Sequence, residues 1–247
     1  MIGRGRESLA CVNPLPADTT EDVRERGAAV ALLPVGSLEQ HGPHLPLTTD
    51  TLVASAVAAR IAQVHPVRVL PPLTISCSHE HAAWAGTVSI SATTLVAVVA
   101  DVAASLRAAG TTALVLVNAH GGNHVLRNVV QEASVGPLPM ALFPVSEDWT
   151  AARRAAGCET SNTADMHAGE LETSILLHTV PDQVRPSYRT ADHVADERPH
   201  LLTTGLAAYS ATGVVGRPSL ATAEKGRGLL DALVVAFAGH LRVLAGR

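Results

Sequence analysis

Ala29-Val30-Ala31-Leu32-Leu33-Pro34-Val35-Gly36-Ser37-Leu38-Glu39-Gln40-His41-Gly42-Pro43-His44-Leu45-Pro46-Leu47-Thr48-Thr49-Asp50 decides the fold. The apolar run Ala29 to Leu33 reads as a buried strand. The residues after Asp50, Thr51-Leu52-Val53-Ala54-Ser55-Ala56-Val57-Ala58, read as a helix. Between them lie one Glu, two His and one Asp, among glycines and prolines that fix the backbone. Glu39 and His41 are two residues apart, so in an extended segment their side chains project to the same side. Asp50 stands at the mouth of the helix, where exposed N–H groups favour a carboxylate. A Glu, a His and an Asp that converge at the carboxyl end of a strand make half of a metal site.

The same pattern recurs outward from this stretch. Val67 to Pro72 is a second strand, stopped by its prolines, and a polar loop from Ser76 to Thr87 follows it. A helix from about Ala92 to Ala109 ends at Gly110, a stop signal. Thr112-Ala113-Leu114-Val115-Leu116-Val117 is the clearest buried strand, and it runs into Asn118-Ala119-His120-Gly121-Gly122-Asn123 and a helix to about Ala133. Met140 to Pro144 is a short strand, Ala168 to Leu177 a helix, and Leu220 to Leu244 mostly one amphipathic helix. Continuous apolar strands alternating with helices imply a mainly parallel sheet covered on both faces. Four or five strands are too few for an eightfold barrel, so the expected fold is α/β, an open three-layer αβα sandwich. Such sheets bind ligands at the carboxyl ends of their strands. With no linker or repeat, a single domain over residues 1–247 is expected, with residues 1–28 as a polar extension. In that extension, Asp18 to Arg26 is a short charged helix candidate.

Composition narrows the function classes. Apolar residues make up 47% of the 247 residues, enough for a large core, while aromatics are only 2%, so small aliphatic side chains must fill it. A formal net charge of -4 gives no reason to expect nucleic acid or a membrane surface as partner. Cys11, Cys77 and Cys158 are odd in number and lack a metal-binding spacing, which suggests a reducing compartment. No signal-peptide pattern and no run of ~18 apolar residues is visible. A cytoplasmic protein is expected.

His41, His44, His79, His81, His120, His124 and His167 lie in polar segments that follow strands or open helices. Any one of them is more often a capping or core histidine than a ligand; their recurrence where a parallel sheet gathers its loops raises the chance for the set. A hydrolytic two-metal site needs a bridging carboxylate and terminal His and carboxylate ligands. Glu39, His41, Asp50 and His120 supply most of these, and Asp165, Glu170 and Glu172 offer the further acid. The rivals are weaker. Gly121-Gly122-Asn123 opens a helix but lacks the Lys-Ser/Thr of a P-loop and the spaced glycines of a dinucleotide fingerprint. Nothing resembles a nucleophile elbow around Cys77 or Ser78. The polar face of the last helix, with Glu224, Lys225 and Arg227, reads as a solvated or interface surface.

Residues 36–47 with Asp50, Asn118 to Asn123, His167-Ala168-Gly169-Glu170-Leu171-Glu172-Thr173 and Ala221-Thr222-Ala223-Glu224-Lys225-Gly226 resemble the creatininase (creatinine amidohydrolase) family. These motifs run in family order through most of the chain. The resemblance implies an αβα fold, two divalent metal ions per chain (zinc, iron or manganese), frequent hexamers, and hydrolysis of an amide-like C–N bond. By position, Glu39 resembles a terminal ligand of one metal, with His120 beside it. His41 resembles a ligand of the other, and Asp50 the bridge. Creatininase itself carries an acid where this chain has Gly122, so Glu172 is expected to complete the second shell. His167 resembles the residue that protonates the leaving nitrogen, and Glu170 is expected to take a proton from the attacking water. Glu80, His81 and Trp84 are expected to shape the substrate pocket.

The same comparison bears on the substrate. Creatininase has a Trp where this chain has Ala164, and the loop from Ser78 to Thr87 resembles the branch associated with mycofactocin maturation. The expected substrate is therefore a peptide, trimmed at its C-terminal end, with creatinine or another small amide as the alternative. A metal-binding protein without turnover and a structural subunit are the readings from other classes. The first is disfavoured by the intact ligand positions, and the second predicts a stable complex without hydrolysis.

Overall fold

The computed structural model describes residues 15–246. Half of the polar extension, residues 1–14, and Cys11 with it, lies outside the described residues. Its charged helix is present as α1, Thr20–Arg26, opened by a capping box between Thr19 and Asp22 and closed by Gly27.

Four strands form one sheet: β1 (Val30–Val35), β2 (Val67–Val69), β3 (Ala113–Asn118) and β4 (Met140–Phe143). Their order is β2-β1-β3-β4 and every pairing is parallel. Alternation along the strands sends side chains to two separate cores. Ala31, Leu33, Val35, Leu114 and Leu116 pack with Leu95, Val99 and Leu106 of α3 (Ala92–Ala108) and Leu126 of α4 (Leu126–Ala133). Leu32, Val115 and Val117 face the other way, toward α2 (Thr49–Ala62), α6 (Glu170–Thr179) and α8 (Ala223–Ala245). This is the three-layer αβα sandwich expected from the sequence.

Helix α2 is buried almost all round because it lies between β1 on one side and α6 and α8 on the other. Helix α8 is long and apolar enough by composition to cross a membrane. Here Leu229, Leu230, Leu233, Val234 and Phe237 are instead buried against α2, α5 (Ser146–Ala156) and α6. Helix α5 is not among the sequence expectations. Its signals are present, with Glu147 and Asp148 in the first turn and Gly157 in the left-handed conformation at the end. A short α7 (Leu201–Thr204) lies in the long connection before α8.

The topology places the site. From β1 the chain crosses to β2 on one side and then to β3 on the other, so β1 and β3 are adjacent and the loops after them diverge at a switch point. Val35 lies opposite Asn118 in the register. The loop carrying Glu39 and His41 and the loop carrying His120 therefore start side by side. Asp50 arrives on the first turn of α2.

Candidate metal centre

Glu39, His41, Asp50, His120 and His167 are all at most 4% exposed and converge above the ends of β1 and β3. Asp50 sits in the middle. Its Oδ1 is 3.2 Å from His41 Nε2, and its Oδ2 is 3.1 Å from His120 Nδ1 and accepts a 2.6 Å hydrogen bond from Ser37 Oγ. Glu39 Oε1 lies 3.2 Å from His120 Nδ1, 3.3 Å from His81 Nε2 and 3.7 Å from His167 Nδ1. Glu172 reaches in from α6, with Oε1 4.0 Å from His41 Nε2. Two donor groups of metal-binding dimensions result, Glu39–Asp50–His120 and His41–Asp50–Glu172, and Asp50 belongs to both. Glu39, His41 and His167 make a third such group.

The hydrogen bonds on the outer sides of the rings fix which nitrogen faces inward. His41 Nδ1 lies 3.1 Å from Glu39 O, His120 Nε2 lies 2.7 Å from Cys77 O, and His167 Nε2 lies 2.6 Å from Gln40 O. A carbonyl only accepts, so each of these nitrogens carries the hydrogen. The opposite nitrogen of each ring then faces carboxylate oxygen and is the one open to a metal ion or a proton. That is the arrangement of metal-ligating histidines, whose outer N–H is tied to a carbonyl.

Electrostatics agree with a site built for cations. Burial opposes a charge on His41, but Asp50, Glu172 and Glu39 outweigh it and hold its pKa at about 9. Burial likewise opposes charge on His120, and Glu39 and Asp50 raise it well above the usual value. Burial raises the Glu172 carboxyl to about 8, against the pull of His41. His81 falls to about 3 through burial and the neighbouring His120 and His41, and His167 falls well below its usual value through burial and His41. Both stay neutral. No lysine or arginine among the described residues pairs with Glu39, Asp50 or Glu172, and both oxygens of Glu39 are buried without a hydrogen-bond partner. Unpaired buried carboxylates are costly unless a cation meets them. The residues therefore fit a pair of divalent ions.

A tight turn sets the last acid in place. Ala168 adopts a positive φ of 54°, its N–H donates to Glu172 Oε2 at 2.6 Å, and its carbonyl accepts from His44 Nε2 at 3.1 Å. His44 is thus a structural histidine that holds this turn. His79 and His124 are exposed.

Glu170 does not join the cluster, which corrects the expectation that it takes the proton of a water. It is fully buried on the far side of α6, where it accepts from Glu159 N, Thr160 N, Thr160 Oγ1 at 2.6 Å and Lys225 Nζ at 2.6 Å. Burial works against its charge, but Lys225 and Thr160 prevail and lower its pKa. Lys225, expected on a solvated face, is the half-buried partner of this pair.

The loop residues also take different places from those expected. His81 is buried within the cluster. Glu80 Oε1 lies 3.6 Å from His120 Nε2 and occupies the space of any side chain at Gly122, where a Cβ would come within 2.1 Å of it. Trp84 is half-buried with its ring 6.2 Å from that of His81. None of the three lines the large cavity beside the cluster. That cavity, about 780 Å³, reaches from His120 and Glu172 past Leu142, Trp149 and Met166 to Arg127. Its walls come from α4, β4, α5 and α8, and no local motif marks them as one surface.

The sequence model of the family described as Creatininase: Creatinine amidohydrolase matches residues 17–241. The Mycofactocin precursor peptide peptidase of Mycobacterium ulcerans (strain Agy99) is 39% identical over 216 residues, 82% of this chain and 80% of that one. The Creatinine amidohydrolase of Pseudomonas putida is 27% identical over 234 residues, 87% of this chain and 90% of its own. A solved structure described as Creatininase Mn superposes with a TM-score of 0.77 at 27% identity, covering 92% of this chain and 96% of that one. With the αβα sheet and the shared carboxylate of the buried cluster, these matches place the chain in the creatininase family, among metal-dependent hydrolases that act on amide bonds.

Proposed function

We propose that the protein is a dinuclear metal-dependent amidohydrolase that trims the C-terminal end of the mycofactocin precursor peptide. The observation that carries the dinuclear reading is Asp50, one oxygen toward each of two inward-facing histidines, in two donor groups that it alone shares. Glu39, Asp50 and His120 would hold one ion, and His41, Asp50 and Glu172 the other. Zinc, manganese and iron all suit such carboxylate and imidazole donors. When bound, the ions supply Lewis acidity for the amide carbonyl and a water acidic enough to attack at neutral pH.

The chain's own residues do the rest. His167 has its Nε2–H pinned to Gln40 O, so its Nδ1 is the atom that takes a proton and passes it to the departing nitrogen. The ring is neutral in the free protein, since burial and His41 disfavour its charge. Glu80 backs His120 from the side of Gly122. Leu142, Trp149 and Met166 offer an apolar wall for a peptide side chain, and Arg127 on the same cavity is able to meet a carboxylate.

A peptide is favoured over creatinine by two observations. The cavity is of the size that encloses a drug-sized ligand, much larger than one small ring needs. The identity to the mycofactocin peptidases, 34% and above, exceeds the 27% to creatinine amidohydrolase. A homo-oligomer, a hexamer by family resemblance, and a cytoplasmic place complete the proposal. The test is hydrolysis by the metal-loaded chain, followed by mass spectrometry, on the mycofactocin precursor peptide and on creatinine. Cleavage of the peptide alone supports the proposal. Cleavage of creatinine alone moves the protein to the small-amide branch.

A further inference from the structure

Four histidine rings surround Glu39 and Asp50, and one of them is anchored differently. His41, His120 and His167 are each tied on the outside to a main-chain carbonyl. His81 is tied to a side-chain amide: its Nδ1 lies 2.9 Å from Gln40 Nε2. The direction of that amide is set. Gln40 is 5% exposed, and its Oε1 accepts the N–H of Gly42 at 2.9 Å, so the nitrogen must lie on the side of His81. Gly213, at φ +82°, leaves room for the amide, since a Cβ there would come within 1.9 Å of Gln40 Oε1.

An amide nitrogen has two hydrogens and no acceptor capacity. Three atoms lie within reach: Gly213 O at 3.2 Å, His81 Nδ1 at 2.9 Å and His167 Nε2 at 3.1 Å. His167 Nε2 already donates its own hydrogen to Gln40 O at 2.6 Å, so it is no acceptor. The two hydrogens therefore go to Gly213 O and His81 Nδ1. His81 is left with its hydrogen on Nε2, the ring nitrogen that lies 3.3 Å from Glu39 Oε1.

We infer that Gln40 is a positioning residue that sets the tautomers of two of the four histidines, one by its donor and one by its acceptor. Its main-chain carbonyl fixes His167 with Nδ1 bare, and its side-chain amide fixes His81 with Nε2 protonated. His81 then turns an N–H and not a lone pair to the side of Glu39, so it is not a ligand, although its imidazole stands as near Glu39 as that of His120. The residue between Glu39 and His41 thus decides that His167, and not His81, turns a bare nitrogen toward Glu39. The kinetic consequence rests on the amidohydrolase reading; the tautomer is read without substrate, so the two can fail separately.

The experiment is long-range 1H–15N spectroscopy of the zinc-loaded protein with labelled histidine, His81 being assigned by its loss in His81→Gln. The expected spectrum shows His81 protonated at Nε2 and bare at Nδ1. Gln40→Glu keeps the acceptor for Gly42 and removes the donor, so His81 is expected to switch to the Nδ1–H form. Turnover of the peptide is expected to fall in kcat by about 10–100-fold, the usual cost of a lost outer partner, with KM little changed. His81 protonated at Nδ1 in the unaltered protein overturns the inference. So does Gln40→Glu with both the Nε2–H form and kcat retained. Should Gln40→Glu not fold, the spectrum of the unaltered protein decides alone.

Discussion

Glu170 and Glu172 leave the same helix two residues apart and meet opposite surroundings. Glu170 is closed on every side: backbone N–H groups, a threonine hydroxyl and the Lys225 ammonium fill its acceptor positions. Glu172 has one oxygen held by Ala168 N–H and the other facing His41, with no lysine or arginine beside it. Asp50 and Glu39 are left open in the same way. The first arrangement needs nothing further to be stable. The second is incomplete as protein alone, and that incompleteness is what a metal centre requires, since coordination sites filled by lysine are lost to the metal.

The largest test of this contrast is Asp50→Ala. Loss of the shared carboxylate removes a donor from both groups, and turnover is expected to fall by at least about 10³-fold, with metal content reduced. Rates beside metal analysis check both. Next comes the pair on α6. Glu172→Gln is expected to weaken metal binding and lower kcat, whereas Glu170→Gln leaves kcat within about threefold, far from the 10²–10⁴-fold loss of a general base. A large kcat loss in folded Glu170→Gln would restore the role that its surroundings deny it.

Stability should show the reverse order. Lys225→Met strands a buried carboxylate and is expected to cost about 3–5 kcal/mol, read as a shift of the urea midpoint. This contribution has a definite pH dependence. The folded pKa of Glu170 lies below 4.5, so its stabilisation is full above that value and is lost as pH falls through the lower folded value. The stability gap between the unaltered protein and Glu170→Gln should therefore narrow only under acid. On the cavity wall, Trp149→Ala is expected to raise KM for the peptide by roughly tenfold, about 1.4 kcal/mol, with a smaller change in kcat. The smallest effect belongs to Arg60→Ala. Its ion pair with Asp231, 2.7 Å long but about 40% exposed on both sides, should contribute under about 1 kcal/mol.

The parts of the fold legible in sequence were those written in contiguous residues. Apolar runs mark β1 and β3, and the polar turns after them hold Glu39, His41 and His120 within a few residues of a strand end. Asp50 follows at the start of the next helix. The choice between Glu170 and Glu172 was not legible in this way. Two positions on a helix differ by more than half a turn, and only the packing of α6 on α8 decides which one turns toward Lys225. Lys225 itself lies in the first turn of a helix, where a lysine usually meets water. The cavity was hidden for another reason, because its walls are drawn from α4, β4, α5 and α8, far apart in the chain. The Gln40 amide was invisible because its role depends on where Gly213 and His81 lie.

The most direct test of the shared-carboxylate centre is low-temperature electron paramagnetic resonance of the manganese-loaded protein with metal content per chain. Two spin-coupled manganese ions per chain, with coupling lost in Asp50→Ala, are the predicted result. Two uncoupled ions, or no bound manganese and no bound zinc after reconstitution, would contradict it.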